Sequence, residues 1–188
     1  MTRDLMRTAE IKDFVRDAYR SVDADTSAVA ARLYSPDELD RVPQEAIDGA
    51  LGVGNHLRFA RIGPDDTVLD LGCGAGIDTI LAAHRAARVI ALDFLPEMLA
   101  RTASAARAAG LENVETLEGE LEAIPLDDRS VDAIISNGVI NLAPRKARAL
   151  AECARVLRDG GELCVSDLTV DADELPPEIL THPAAWAG

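Results

Sequence analysis

The stretch Val68-Leu69-Asp70-Leu71-Gly72-Cys73-Gly74-Ala75-Gly76 decides the fold of this 188-residue chain. Its apolar first half predicts a short strand, which runs directly into a glycine-rich loop, and a helix is predicted after that loop. Glycines at such a turn allow positive φ angles and let a ligand approach the backbone. The stretch therefore predicts a strand, a ligand-binding loop and a helix in succession.

Strands and helices are predicted to alternate along the rest of the chain. The predicted strands cover residues 67–71, 88–93, 114–117, 131–136 and 162–168. The predicted helices are a run that ends near Ala87, one from Pro96 to Gly110, and one that begins at Pro144 and ends at Asp159-Gly160-Gly161. Because this alternation produces parallel strands with helices on both faces, the sequence predicts a Rossmann-like, doubly wound α/β fold with a mostly parallel sheet.

Three segments are predicted. Residues 61–170 form the Rossmann-like core. Residues 1–60 are expected to form an N-terminal helical arm or cap, because apolar residues recur at helical spacing from Leu5 to Tyr19 and Pro43 suits the first position of a second short helix. Residues 171–188 form an acidic, proline-containing C-terminal tail.

The composition argues against several classes of partner. The formal net charge is -14, so the surface repels phosphate backbones and anionic membranes, and we expect no nucleic-acid and no membrane partner. The three cysteines, Cys73, Cys153 and Cys164, include no close pair, which favours a reducing, cytoplasmic location. Cysteines and histidines show no metal-ligand spacing, so no metal site is predicted.

Asp70, directly before the glycine loop, indicates the class of ligand. The loop reads G-x-G-x-G, and Ile77 stands where the dinucleotide fingerprint has its last glycine. A carboxylate at Asp70 would repel a pyrophosphate, but it suits a ligand that carries an ammonium group and no phosphate, as S-adenosylmethionine does. A dehydrogenase is therefore the least favoured interpretation.

Other candidate ligand contacts follow the next three strands. Asp93 can accept both hydroxyls of a ribose, Phe94 and Met98 can pack on an adenine, and Glu120 beside Leu121 can bind the adenine edge. Asn137 follows the fourth strand at the carboxyl end of the sheet, where ligands of such folds bind. The predicted cofactor-binding residues are Asp70, Gly72, Cys73, Gly74, Gly76, Asp93, Phe94, Met98, Glu120, Leu121 and Asn137.

These motifs resemble class I S-adenosylmethionine-dependent methyltransferases and, more narrowly, arsenite methyltransferases. The resemblance rests on Tyr34-Ser35-Pro36-Asp37-Glu38-Leu39, Leu51-Gly52-Val53-Gly54-Asn55, residues 68–78, Glu118-Gly119-Glu120-Leu121-Glu122-Ala123-Ile124-Pro125, Ser136-Asn137-Gly138-Val139-Ile140-Asn141-Leu142 and Val165-Ser166-Asp167. It implies the class I fold, S-adenosylmethionine as cofactor and a small-molecule methyl acceptor. Class I enzymes usually end with a further helix and two strands, so we expect this chain to lack the last two strands. The edge of the fifth strand would then be covered by a homodimer contact, a partner or the N-terminal arm.

The chain departs from the arsenite family at its cysteines. The family resemblance implies cysteines at the positions of Val53 and Gly138, and a third after the motif matching Ala185-Trp186-Ala187-Gly188. Arsenic(III) is thiophilic, so we expect methyl transfer to a small molecule other than inorganic arsenite. Two alternatives stay open, namely methylation of arsenic carried by glutathione, and a catalytically silent S-adenosylmethionine-binding protein that needs a partner.

No catalytic residue is predicted. Methyl transfer is a direct displacement that depends mainly on alignment of the reacting groups, and it requires a base only for a protonated nucleophile. His56 is expected to be an exposed loop histidine, with a general base near the substrate as the alternative. Cys73, Cys153 and Cys164 are expected to have packing roles.

Overall fold

The computed structural model describes residues 26–169 and Arg16. Contacts divide the chain into two compact units, one of residues 25–167 and one of residues 1–24 with 168–188. The sheet and the candidate site belong to the first unit. The helix predicted between residues 5 and 19, and the tail predicted at 171–188, lie outside the described residues, and the boundaries at 60 and 170 stay predictions.

Five strands of the described residues form one parallel sheet. They are β1 (Thr67–Leu71), β2 (Arg88–Asp93), β3 (Val114–Glu118), β4 (Val131–Asn137) and β5 (Leu157–Ser166). Their order in the sheet is β3-β2-β1-β4-β5, which confirms the predicted doubly wound α/β fold. The chain runs outward from β1 to β3 and then returns to place β4 on the other side of β1. The carboxyl ends of β1 and β4 therefore form a topological switch point, the place where ligands of such folds bind.

Helices cover both faces of the sheet. One face, around Val68, Val89 and Ile135, packs against helices that precede β1 and against the helices that follow β1 and β2. The other face, around Leu69 and Ile134, packs against the helix between β4 and β5. The described helices are α1 (Ser27–Leu33), α2 (Pro36–Leu39), α3 (Gln44–Asp48), α4 (Ile77–Ala83), α5 (Pro96–Ala108) and α6 (Lys146–Val156), with 3-10 turns at His56–Arg58 and Ile140–Leu142.

Two helix boundaries differ from the sequence prediction. Pro43 is the N-cap of α3 and not its first helical residue, because its ψ of 144° is extended. The helix predicted from Pro144 begins two residues later, at Lys146, after Arg145 in a non-helical conformation. Both prolines therefore precede the helices that they were expected to open.

The Asp159-Gly160-Gly161 segment does not end α6 as predicted. The helix ends at Val156, and β5 begins at once, with Leu157 opposite Val131. The next regular pair is Glu162 with Ala133, so residues 158–161 form an irregularity within the strand, with Gly160 at φ 83°. Such a bulge bends the strand while it preserves the pairing on either side. Among the described strands β5 lies at an edge of the sheet, and its coverage by a partner stays a prediction.

Among the described residues, no helix combines the length and the apolar character needed to cross a membrane.

Candidate cofactor site

The glycine loop folds back over the end of β2. The amides of Gly72 and Cys73 both donate to the Leu92 carbonyl, at 2.7 and 3.0 Å. Gly72 has φ 71°, and a Cβ built there would lie 2.5 Å from Cγ1 of Val139. Gly76, at φ 97°, is the N-cap of α4. The tight turn and the close contact with Val139 both require glycine at position 72.

Asp70 lies beneath this loop on the central strand. Its side chain is 2% exposed, and Thr79 on α4 donates from Oγ1 to Asp70 Oδ2 at 2.5 Å. Burial, and then the nearby charge of Asp78, raise the pKa of Asp70 to about 8. A buried carboxyl of this kind favours a cationic group placed beside it.

Asp93 ties the glycine loop to the end of β2. Its carboxylate accepts from the amides of Gly74, at 3.1 Å, and Leu95, at 3.0 Å. Burial raises the pKa of Asp93, although these backbone hydrogen bonds oppose the rise. Phe94 is half-buried and Met98 is 7% exposed at the start of α5. The ribose contact of Asp93 and the adenine contacts of Phe94 and Met98 stay predictions.

The turn after β3 lies beside Asp93. The amide of Gly119 donates to the Asp93 carbonyl at 3.0 Å. Glu120 follows in an exposed position and pairs with Ala123 in an isolated bridge, and Leu121 is half-buried. The structure thus brings the predicted ribose and adenine contacts together at the carboxyl ends of β2 and β3.

Asn137 holds a loop onto the end of β4. Its Oδ1 accepts from the amides of Val53, at 2.8 Å, and Gly54, at 3.2 Å. Its Nδ2 donates to the Gly54 carbonyl at 2.8 Å and to Asp78 Oδ2 at 2.9 Å. A Cβ added to Gly52 would lie 2.5 Å from Asn137 Nδ2, so the close packing of the loop on this side chain requires glycine at position 52. The side chain is therefore engaged within the protein, and its contact with a ligand stays a prediction.

Asp78 and Tyr34 complete this network and were missed by the sequence analysis. Asp78, in the first turn of α4, is 6% exposed and accepts from the Tyr34 hydroxyl at 2.8 Å. Burial is the main cause that raises the pKa of both groups. An acid directly after a glycine loop is the signal that could have identified Asp78; nothing local could have paired it with Tyr34.

His56 is buried, so the expectation of an exposed loop histidine is wrong. It is 1% exposed, and neither ring nitrogen has a hydrogen-bond partner among the described residues. Burial lowers the pKa of His56, and the charge of Asp78 opposes this effect. The physical reason is the hydrogen bonding of Asn137 to Val53 and Gly54, which carries the following 3-10 turn inward against β4 and β5.

Val53 and Gly138, the positions at which the arsenite resemblance implies cysteines, face each other. A Cβ at Gly138 would lie 3.3 Å from Cγ1 of Val53, so this part of the site offers an apolar contact and no thiol. Cys73 is buried at the loop, and burial raises the pKa of its thiol. Cys153 packs in the core on the α6 face, and Cys164 donates to the His56 carbonyl at 3.2 Å. The described residues contain no group of three His, Cys, Asp or Glu side chains that could hold a metal.

Comparison with known proteins identifies the family of the chain. A family model described as a methyltransferase domain matches residues 62–187. The arsenite methyltransferase of Halobacterium salinarum is 40% identical over 158 residues, which are 82% of this chain and 40% of that protein. The arsenite methyltransferase of Aquipseudomonas alcaligenes is 41% identical over 135 residues, 64% of this chain and 39% of that protein. The chain thus spans about two fifths of the length of these curated relatives.

A solved structure shows the same likeness. The crystal structure of an arsenic(III) S-adenosylmethionine methyltransferase from Chlamydomonas reinhardtii superposes with a TM-score of 0.67 at 34% identity, over 92% of this chain and 54% of that one. The chain belongs to the methyltransferase domain family, as a class I S-adenosylmethionine-dependent member that resembles the arsenite methyltransferases.

Proposed function

We propose that this chain binds S-adenosylmethionine at the carboxyl ends of β1 to β4 and transfers its methyl group to a small molecule other than inorganic arsenite. One observation carries the proposal: Asp93 holds the glycine loop by the amide of Gly74, at 3.1 Å, while Asp70 lies buried beneath the same loop. A backbone loop between two buried acids suits a ligand with ribose hydroxyls and an ammonium group.

The charges favour this cofactor over a dinucleotide. The described ion pairs link other side chains, for example Arg158 with Asp132 and Arg88 with Glu115, and none includes Asp70 or Asp93. A pyrophosphate placed on the loop would find no compensating cation there, and each acid would have to stay protonated or repel it, which costs free energy in a buried site. The cationic ammonium and sulfonium groups of S-adenosylmethionine would meet attraction instead.

The class of methyl acceptor is proposed from the residues at positions 53 and 138. Val53 and Gly138 lie side by side where the arsenite family resemblance implies thiolates, and this pair has no donor atom for a soft metal or metalloid. The described cysteines do not replace them. Cys73 lies at the glycine loop, Cys153 lies in the core on the α6 face, and Cys164 donates to the His56 carbonyl. We therefore place inorganic arsenite outside the substrate range, and the free thiols support a cytoplasmic location.

The protein's part in the reaction would be alignment. The sulfonium is already a good leaving group, so the rate depends on holding the nucleophile, the methyl carbon and the sulfur in line. Asn137 supports this by fixing the 52–54 loop to the end of β4, beside the turn that packs on the glycine loop. A base would be required only for an acceptor that starts protonated.

The test is formation of S-adenosylhomocysteine from S-adenosylmethionine with a panel of small thiols, amines and hydroxyl compounds, and with arsenite plus excess glutathione. We expect turnover with at least one member of the panel and none with arsenite. Asp93→Asn should reduce turnover, whereas the surface variant Glu115→Gln on β3 should not. Arsenic-dependent turnover would support the glutathione alternative, and cofactor binding without turnover would support the silent alternative.

A further inference from the structure

Three carboxylates are buried together around the glycine loop. Asp70 on β1 is 2% exposed, Asp78 on α4 is 6% exposed and Asp93 on β2 is 7% exposed. Thr79, which donates to Asp70, directly follows Asp78 on α4. Asp70 and Asp93 lie at the ends of neighbouring strands, where Leu71 pairs with Leu92. Burial first, and then the charges of the other two carboxylates, raise the pKa of Asp70. Three adjacent buried negative charges without a cation carry a large desolvation and repulsion cost, so at least one of the groups should be neutral in the ligand-free protein.

The hydrogen bonds identify which carboxyl is neutral. Asp93 accepts from two backbone amides, and Asp78 accepts from Tyr34 and from Asn137. Among the described residues, by contrast, Asp70 receives hydrogen bonds from a single residue, Thr79. Because donors stabilise the charged form, Asp70 is the carboxyl for which ionisation is supported least.

The groups that surround the cluster supply no positive charge. Burial is the main cause that raises the pKa values of Tyr34 and Cys73, so both groups are neutral at pH 7. His56 faces Asp78, but burial lowers its pKa, and it is therefore uncharged near neutrality. Burial raises the pKa of Asp70 to about 8. Most of the Asp70 carboxyls should therefore carry a proton at pH 7.

We propose that Asp70 holds a proton in the ligand-free protein and loses it to solvent when the ammonium group of the cofactor's amino-acid moiety enters the site. The inference rests on the proposed function and adds its regulation by pH. The O–H bond of the Asp70 carboxyl breaks, the proton passes to the buffer, and the ammonium keeps its three hydrogens. The product is a carboxylate–ammonium pair, which a buried site stabilises far more than either charge alone.

Cofactor affinity then depends on pH. Each bound ligand releases close to one proton below the pKa of Asp70, so the affinity should rise about tenfold per pH unit between pH 5.5 and 7. The α-amino group of the ligand itself titrates near pH 8. The interval below pH 7 therefore isolates the contribution of Asp70 from that of the ligand.

The test uses calorimetric titration of the full chain with S-adenosylhomocysteine, which carries the same ammonium group. Titrations at pH 6.5 in phosphate and in imidazole, whose heats of ionisation differ, report the number of protons released. We expect about one proton for the wild type and close to none for Asp70→Asn, which keeps an acceptor for Thr79. The control Glu115→Gln should release the same number of protons as the wild type.

The outcomes separate this inference from the proposed function. Binding without proton release, or equal release by Asp70→Asn, would overturn the coupling and leave cofactor binding intact. A wild-type affinity that does not change between pH 5.5 and 6.5 would overturn it independently of any variant. Absence of S-adenosylhomocysteine binding by the well-folded wild type would instead contradict the proposed function, and the coupling with it.

Discussion

Replacement of Asp70 by Asn should change how the stability of the protein depends on pH. The folded protein holds a proton on Asp70 up to a pKa of about 8, whereas the unfolded chain releases it near the ordinary aspartate pKa of 3.8. Between these limits the folded state binds more protons than the unfolded state. The free energy of unfolding therefore falls as the pH rises through this window, and the contribution of Asp70 is most favourable below pH 4. The side chain of Asn has no titratable proton, so the Asp70→Asn variant lacks this pH dependence.

The magnitude follows from the width of the window. One pH unit corresponds to about 1.4 kcal/mol for one proton. Between pH 5 and pH 7, both inside the window, the wild type should lose about 3 kcal/mol of stability relative to Asp70→Asn. Because the two proteins share all their other titratable groups, the contributions of those groups drop out of the difference between the two free energies of unfolding.

Urea unfolding at pH 5, 6 and 7 measures this difference. The matched control is Asp132→Asn on β4. Burial acts to raise the pKa of Asp132, but hydrogen bonds from Thr67 and Arg158 lower it overall. Asp132 is therefore ionised in both states across this pH range, and its variant should differ from the wild type by a constant amount. Parallel stability profiles for the wild type and Asp70→Asn would refute the assignment of a proton to Asp70.

Three further substitutions test the packing of the site. Gly72→Ala should destabilise the protein more than Gly110→Ala, because both glycines have φ near 70° but only a Cβ at position 72 meets Val139, at 2.5 Å from its Cγ1; thermal unfolding should show that Val139→Ala recovers part of the excess, since the Cβ of residue 139 stays 3.0 Å away. Asn137→Ala should cost about 3 kcal/mol, since it leaves two loop amides and a carboxylate oxygen unpaired, and hydrogen exchange should increase in the 52–56 loop. His56→Phe should leave the melting temperature at pH 7 unchanged or higher, because neither ring nitrogen has a described partner; a loss of several degrees would indicate a bond that this account omits.

The sequence was sufficient for the parts of the fold that depend on local patterns. Apolar runs of strand length, separated by helical segments, located all five described strands, and the glycine loop located the ligand end of the sheet. Asp70 and Asp93 could be placed there because each ends or adjoins a strand whose direction the parallel sheet fixes.

The rest depends on contacts between distant residues. Tyr34 bonds to Asp78 across 44 positions and to Asn137 across 103, and no local pattern encodes such pairs. The burial of His56 follows from the same network, because Asn137 draws the preceding loop onto β4. The bulge at 158–161 was misread because Asp-Gly-Gly also ends helices, and only the pairing of Leu157 with Val131 shows that the strand has already begun.

The most direct test of the account is equilibrium binding of S-adenosylmethionine by the purified chain, compared with NADH. The account predicts micromolar binding of S-adenosylmethionine, loss of most of that affinity in Asp93→Asn, no loss in Glu115→Gln, and no measurable binding of NADH. Tight binding of NADH, or equal affinity of the Asp93→Asn variant for S-adenosylmethionine, would contradict the assignment of this loop and its buried acids to a class I methyltransferase site.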